Sequence, residues 1–467
     1  MYKPCSLIAL LYVTLWTTVT GSVVIDYQDY LWRLFNASAR QNAGAKDAFI
    51  LECFFIPYAS NAPGMTPWLY SDPRYPHNNP NTTGRPNVLI AWRPMVYSLN
   101  YIVMTSGPSK KDWQIIKPLD AIMRQPALDN SQQNTFYLAA DPRLFPSPPS
   151  ASIPQSSATS SANQMASRFI YSCQFHGVHC KMCYSDLHYI YKDVQGKGPQ
   201  DALVVVPPIH HLKPPLDCNT TDCNPHWPQK NWSPFYYTPP QGRAVLLYIY
   251  SVNPHRILHG SIDGSISSVG NITAAAAQGI ERSGRWGWDV LSEPVRTVAM
   301  TEFVPQNESD GSLKDPVWIW GQMRGGSPPI LVPTPFGEKF ITFFHSSGWF
   351  LSKALRTYFM GAYLFSPLPP FAITHISREP ITPMVGKESF YSYNFSTGQS
   401  GFSNRKLDYC IFPVGAVLLP ADDVVAVSLG RNEAQGLILL LNISLGSAFF
   451  LDHLKKVDTT VILDDAL

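Results

Sequence analysis

From residue 87 onward the chain is a succession of short apolar or alternating runs, each cut off by a cluster of Pro, Gly, Asn and Ser. That punctuation predicts β-strands over 87–92, 136–139, 202–206, 244–250, 317–320, 340–345, 358–365, 416–419, 424–429 and 437–442. Helical spacing appears in only two places. The run Tyr27-Gln28-Asp29-Tyr30-Leu31-Trp32-Arg33-Leu34-Phe35 predicts a short helix ahead of the strands, and 272–280 reads equally as helix or loop. The fold class expected is therefore all-β with a short N-terminal helix. Many short strands at modest spacing suit a sandwich, a barrel or a propeller, and no internal repeat chooses among them.

Composition sharpens this picture. Charged residues are 15% of the 467, against roughly 25% in ordinary soluble domains, while 42 prolines and 13% aromatics favour turns and stacking surfaces. A net charge of +2 gives no reason to expect a nucleic-acid partner or an anionic membrane surface. Lys3, the apolar run from Leu7 to Val19 and the small residues around Gly21 read as a signal peptide over 1–22 or, if uncut, a Golgi-type signal anchor. No later run is long enough to span a bilayer, so a membrane would be met only through that segment. The expected location is the secretory pathway, as a secreted or Golgi-lumenal protein. Acceptor sequons at Asn36, Asn81, Asn219, Asn231, Asn271, Asn307, Asn394 and Asn442 fit that route, with Asn231 expected to stay unmodified.

Beyond Cys5, seven cysteines remain, an odd number that leaves at least one thiol. Cys218 and Cys223 enclose a four-residue polar loop that a disulfide could close. The cluster Cys173, His176, His179, Cys180 and Cys183 could be read as zinc ligands, but an oxidising compartment favours a disulfide-stapled insertion over 169–225, and no metal is expected. Residues 146–168 form a Ser/Pro-rich loop. The organisation expected is 23–74 as helix and lead-in strand and 75–467 as one β domain.

Three stretches carry candidate chemistry. In Ala140-Asp141-Pro142-Arg143-Leu144-Phe145, an acid and a guanidinium stand two apart, on one face of an extended strand. Pro142 places them at a strand end rather than its middle. The pair suits sugar or phosphate recognition; a surface ion pair is the plainer reading. In Gln229-Lys230-Asn231-Trp232 a lysine precedes a strand. In Arg324-Gly325-Gly326-Ser327-Pro328-Pro329-Ile330, two glycines permit close backbone approach to a ligand, and the chain runs on to Phe343-Phe344-His345-Ser346-Ser347.

The order and spacing of these motifs resemble the five-bladed β-propeller enzymes of glycoside hydrolase family 130, which act on β-mannosides. The resemblance spans roughly residues 75–445, with insertions near 146–200 and 255–315. It implies a five-bladed β-propeller with its active site at the axis, and Asp141 as general acid in an inverting reaction. The matching acid in the family usually follows a Glu, where this chain has Ala140. By the same resemblance Arg93, Arg143, Lys230 and His345 would hold phosphate, while Asn79, Gly325, Gly326, Ser327 and Glu433 would contact sugar. An Arg that family phosphorylases place ahead of the Lys has no clear counterpart, Lys213 being the nearest basic residue. The partner implied is a glycan or small oligosaccharide, with inorganic phosphate as co-substrate and no other cofactor. Water as nucleophile would instead give a glycosidase, a sugar phosphate or nucleotide donor a mannosyltransferase, and loss of turnover a glycan-binding propeller.

Overall fold

The computed structural model describes residues 50–56, 63–68, 87–92, 100–122, 137–146, 164–174, 181–193, 199–213, 231–240, 242, 244–260, 290–304, 317–350, 355–381, 410–431, 435–443 and 453–465. These are almost wholly β. Their helical pieces are two three-residue 3-10 turns, Lys110–Asp112 and Pro420–Asp422. The N-terminal helix expected over 27–35, the signal segment and residues 272–280 lie outside the described residues. No helix among the described residues is long and apolar enough to cross a membrane.

The strands fall into antiparallel groups in chain order, a propeller-like arrangement. β1 (Ile50–Phe55) stands first. It is followed by β2 (Gly64–Trp68), β3 (Asn87–Trp92), β4 (Asn100–Met104) and β5 (Ile115–Ile122), which pair in sequence. β6 (Tyr137–Phe145), β7 (Gln164–Gln174), β8 (Lys181–Asp193) and β9 (Pro199–Lys213) form the next group. The stretch read as a Cys-rich insertion thus supplies, up to residue 213, three long strands built directly onto β6. β10 (Ser233–Tyr237), β11 (Val245–Val252), β12 (His255–Gly260) and β13 (Val290–Phe303) make a third.

Next come β14 (Gln322–Arg324) and β15 (Ile330–Val332), both paired to β16 (Lys339–Phe350), then β17 (Leu355–Phe365) and β18 (Ile373–Ser377). β19 (Ile411–Leu419), β20 (Val424–Arg431) and β21 (Gln435–Asn442) follow, and β1 completes their sheet by pairing with β21. Finally β22 (Leu454–Lys456) adds to β18 and β23 (Thr459–Asp464) to β13. Four of these groups, β2–β5, β6–β9, β10–β13 and β19–β21 with β1, are four-stranded antiparallel blades. The outer strands β5 and β13 each run parallel to β9, which joins three blades into one sheet.

Blade-to-blade packing explains the unbroken apolar runs. In β20 the stretch Val424–Leu429 is entirely buried, and so is Leu437–Leu441 of β21, because both faces of these strands are covered. Phe54 and Ile56, Met65 of β2, Val88 and Ile90 of β3, Val417 and Leu419 of β19 and Ile438 and Leu440 of β21 share one core between the first blade and the last. Phe145, Ile170, Tyr184, Trp232, Tyr248 and Val295 pack the second blade on the third. Phe235 of β10 meets Phe340 and Phe365 edge-on, with centroids 5.3 and 5.8 Å away, so the third blade rests on the group after it. His255 is buried in that same layer, between Tyr363 and Phe365. Its Nδ1 lies 3.0 Å from the Phe371 carbonyl, and its Nε2 has no hydrogen-bond partner among the described residues. Burial accordingly lowers its pKa from 6.5 to about 3, partly offset by that backbone bond.

Two local expectations are corrected. Residues 317–320 are not a strand: they run as bends, and Trp318 and Trp320 turn inward from them against Phe344 and Phe359, with centroids 4.9 and 5.4 Å away. Indoles filling a gap between strands give the same alternating apolar pattern as a strand. Nor does Asp141-Pro142 end its strand, since β6 runs through it to Phe145. The β6–β7 register steps from Ala140↔Ser172 to Arg143↔Ile170, so an extra residue is bulged out around Pro142. A bulge on a strand paired only along one side has no ladder bond for the proline to break. The extra residue also interrupts the strict alternation on which a shared face for Asp141 and Arg143 rested.

Candidate functional site

The innermost segments of the blades meet where the motifs lie, and glycines let them touch. A Cβ on Gly64 of β2 would sit 2.2 Å from the Pro142 carbonyl oxygen of β6, and one on Gly415 of β19 would sit 2.3 Å from the Met65 amide nitrogen. One on Gly325 would sit 2.0 Å from the carbonyl oxygen of Asn231, and one on Gly326 1.9 Å from that of Phe343. The two glycines of the Gly-Gly-Ser turn were expected to admit a ligand. What fills the space beside them is the protein's own backbone.

Arg143 is the centre of this contact region. It is 0% exposed. Its Nε donates to the Gly326 carbonyl at 2.5 Å and its Nη2 to Asn231 Oδ1 at 3.1 Å, across 183 and 88 residues of chain. The Gly326 carbonyl also accepts from Ser233 Oγ at 3.1 Å. Asn231 holds a left-handed backbone with φ 68°, which asparagine tolerates better than most residues. Its side chain accepts from Arg143 and is buried.

Ser327 fixes the turn to the neighbouring strand. Its amide donates to the Phe343 carbonyl at 2.9 Å, its hydroxyl accepts from the Phe343 amide at 3.1 Å, and its carbonyl accepts from Thr342 Oγ1 at 2.7 Å. His345, 1% exposed on β16, pairs in register with Arg324. Its ring lies 4.4 Å from that of Phe412 on β19 and 5.7 Å from Tyr358 on β17. The Arg143 guanidinium lies 5.8 Å from the centre of the same Phe412 ring.

The structure therefore brings together Arg143, Gly325, Gly326, Ser327 and, through Phe412, His345. Asp141 belongs to β6 two residues before Arg143, with its side chain outside the described set. Arg93, Lys230, Asn79 and Glu433 lie outside the described residues, as do His176, His179, Cys180, Cys218 and Cys223. Cys183 is buried in β8, while Cys53 and Cys410 are thiols; burial pushes Cys53 up to about 12 against the pull of Arg431.

Phe412 is the residue that sequence reasoning missed. It is half-buried and adjoins both Arg143 and His345, which are almost fully buried. As one apolar position among many in 411–419 it gave no signal of its own. Chemically the arrangement is a fixed guanidinium and an imidazole under an aromatic ring. The Arg143 guanidinium provides a fixed positive charge beside that ring.

The sequence matches no known family profile and no curated protein. Among solved structures, the chain is similar to a mannose phosphorylase from Leishmania mexicana in complex with phosphate ion, at TM-score 0.34 and 10% identity over 93% of this chain and 98% of that one. It is similar to β-1,2-mannobiose phosphorylase from Listeria innocua at TM-score 0.29 and 13% identity, over 84% and 91%. A GDP-Man-dependent mannosyltransferase from Leishmania mexicana gives TM-score 0.33 and 11% identity, over 87% and 94%.

Proposed function

We propose that this chain is a carbohydrate-active enzyme that cleaves or forms β-mannosidic linkages with inversion, acting on a glycan or small oligosaccharide in the secretory pathway. The observation that carries the reading is the convergence around Arg143. Motifs separated by 88 and 183 residues, which the family resemblance assigns to a single site, meet there through hydrogen bonds.

The group β14–β18 with β22 counts in this reading as a fifth blade. The inner contacts support it, because they run in a ring: Gly64 to Pro142, Arg143 to Asn231, Asn231 to Gly325, His345 to Phe412, and Gly415 back to Met65. The site would open where these segments meet. Asp141, held in β6, would protonate the leaving oxygen directly or through a sugar hydroxyl. The nucleophile would attack the opposite face of the anomeric carbon in a single displacement, inverting it. Arg143 would supply fixed positive potential from below, its own hydrogen bonds keeping that potential preorganised, with His345 beside it across Phe412. Arg93 and Lys230 would complete a phosphate site, and Asn79 and Glu433 would contact sugar.

A second reading has one observation in its favour. Two of the Arg143 nitrogens are already engaged by protein oxygens, which leaves fewer donors for phosphate and favours water as nucleophile. The test is to incubate the full chain with α-mannose 1-phosphate and mannose or N-acetylglucosamine acceptors and to follow phosphate release. Release that vanishes in Asp141→Asn, with glycan binding retained, supports the phosphorylase reading. Hydrolysis of β-mannosides without phosphate dependence supports the second. If neither reaction occurs and glycan binding is equal in both proteins, the enzyme reading is wrong.

A further inference from the structure

Far from this site, the turn between β15 and β16 presents an aromatic ring with nothing in the proposed reaction to do. Phe336 is 57% exposed, the highest value among the exposed large apolar residues described. One face of its ring lies on the imidazole of His375 in β18, with centroids 4.8 Å apart and planes only 18° apart. A phenyl ring covered on one face and open on the other is a flat, one-sided platform.

The turn that carries it is fixed. Thr334 and Gly337 exchange backbone hydrogen bonds at 3.2 and 3.0 Å. Thr334 Oγ1 donates to the Gly337 carbonyl at 2.6 Å and accepts from the Phe336 amide at 3.1 Å. Gly337 completes the turn at φ 90°, a conformation glycine adopts without strain. Phe336 is therefore presented ready-placed, and binding to it need not freeze a mobile loop.

Two lysines flank the platform. Lys456 of β22 stands directly opposite His375 in the strand register, and Lys339 begins β16 three residues after Phe336. Burial, then Lys339, then Lys456 hold the His375 pKa below its ordinary value. The stack beneath Phe336 is thus a neutral ring at neutral pH, and the positive charge sits at its rim. Glu338 is the one acid on the turn 334–339.

We propose that Phe336, backed by His375 and flanked by Lys339 and Lys456, is a surface binding site for an anionic polysaccharide. The apolar face of one sugar ring would lie on the open face of Phe336, and its acidic substituent would meet the lysines. A flat single ring favours a saccharide, whose apolar face can stack on it, over an acidic peptide, which would need only the positive charges. From Lys339 to His345 along β16 is about 20 Å at strand rise, so this surface is separate from the inner contact region. The proposal does not depend on the reaction assigned above.

The test is direct binding of the full chain to dextran sulfate, with dextran and polyglutamate as controls. The expected result is binding to dextran sulfate alone, weakening with salt, reduced about tenfold in Phe336→Ala and retained in Phe336→Trp. The pair Lys339→Gln and Lys456→Gln would each shallow the salt dependence. Because Phe336 is largely exposed, the alanine variant should fold normally, which its near-ultraviolet circular dichroism checks. Equal binding by wild type and Phe336→Ala, equal binding to dextran or polyglutamate, or no binding to dextran sulfate would each overturn the proposal.

Discussion

His255 makes the stability of this fold sensitive to acid in a way that can be worked out in advance. In the folded chain its imidazole binds a proton with a pKa of about 3, against 6.5 when unfolded, because charging it would bury a cation between Tyr363 and Phe365. The unfolded chain therefore binds the proton first. The stability that follows is present above pH 6.5 and is lost as pH falls from there toward 3. Each pH unit well inside that window costs somewhat more than about 1 kcal/mol, so lowering the pH from 7 to 4.5 removes on the order of 2 to 3 kcal/mol through this one group. Substituting His255→Phe keeps an aromatic ring in the layer and removes the titration. Urea unfolding of both proteins at pH 7 and 4.5 isolates the effect, since the carboxylates contribute alike to each. The variant should lose on the order of 2 to 3 kcal/mol less than wild type across the interval. An equal loss in the two proteins would show that His255 is not held neutral by burial, and the argument would fail.

Two further tests address the inner contact region. Gly326→Ala should destabilise the fold by about 3 kcal/mol in a denaturant titration, since its Cβ would lie against the Phe343 carbonyl; Gly337→Ala, with open space around it, should cost about 1 kcal/mol, and similar costs for the two would contradict the packing described. Arg143→Met should cost about 3 kcal/mol, and in an Asn231→Gly background, which keeps the left-handed backbone, about 2 kcal/mol less; strict additivity would mean that the Nη2 bond contributes nothing.

Local signals in the sequence were enough where an element depends only on its own residues. The run 87–92 is a strand with those very bounds, and the apolar blocks at 424–429 and 437–442 are buried strands, because β-branched and leucine-rich runs between turn residues have few other uses. Where a partner intervenes, reading failed. The β9 strand was expected over 202–206 but runs from 199 to 213 through Pro207-Pro208, which no local rule would place in a strand. Its register with β8 jumps from Tyr184↔His210 to Asp186↔Val206, so the prolines sit where the ladder is interrupted. The convergence of Arg143 on Gly326 and Asn231 was equally invisible to periodicity. Only the order of motifs suggested it, and that order could not distinguish glycines that admit a ligand from glycines that admit a neighbouring carbonyl. Phe412 shows the other limit: its importance comes from being left half-exposed beside two buried groups, and exposure is not written in the residue.

The pairing of β1 with β21 sets the timetable on which this protein can be made. Ile50 must find Leu441, and Pro63 must accept a hydrogen bond from Ser428, 365 residues further along. During synthesis β1 leaves the ribosome with its partner strand not yet translated. At roughly 5–20 residues per second it waits tens of seconds, with Leu51 and Phe55 among its side chains. Each intervening blade can form from neighbouring strands as it emerges, at low loop-closure cost, whereas the closing contact is available only at the end. The last blade is a clasp as much as a blade. Until it is fastened, the first blade keeps an uncovered apolar face, and quality control in the compartment where the chain folds has that face to inspect.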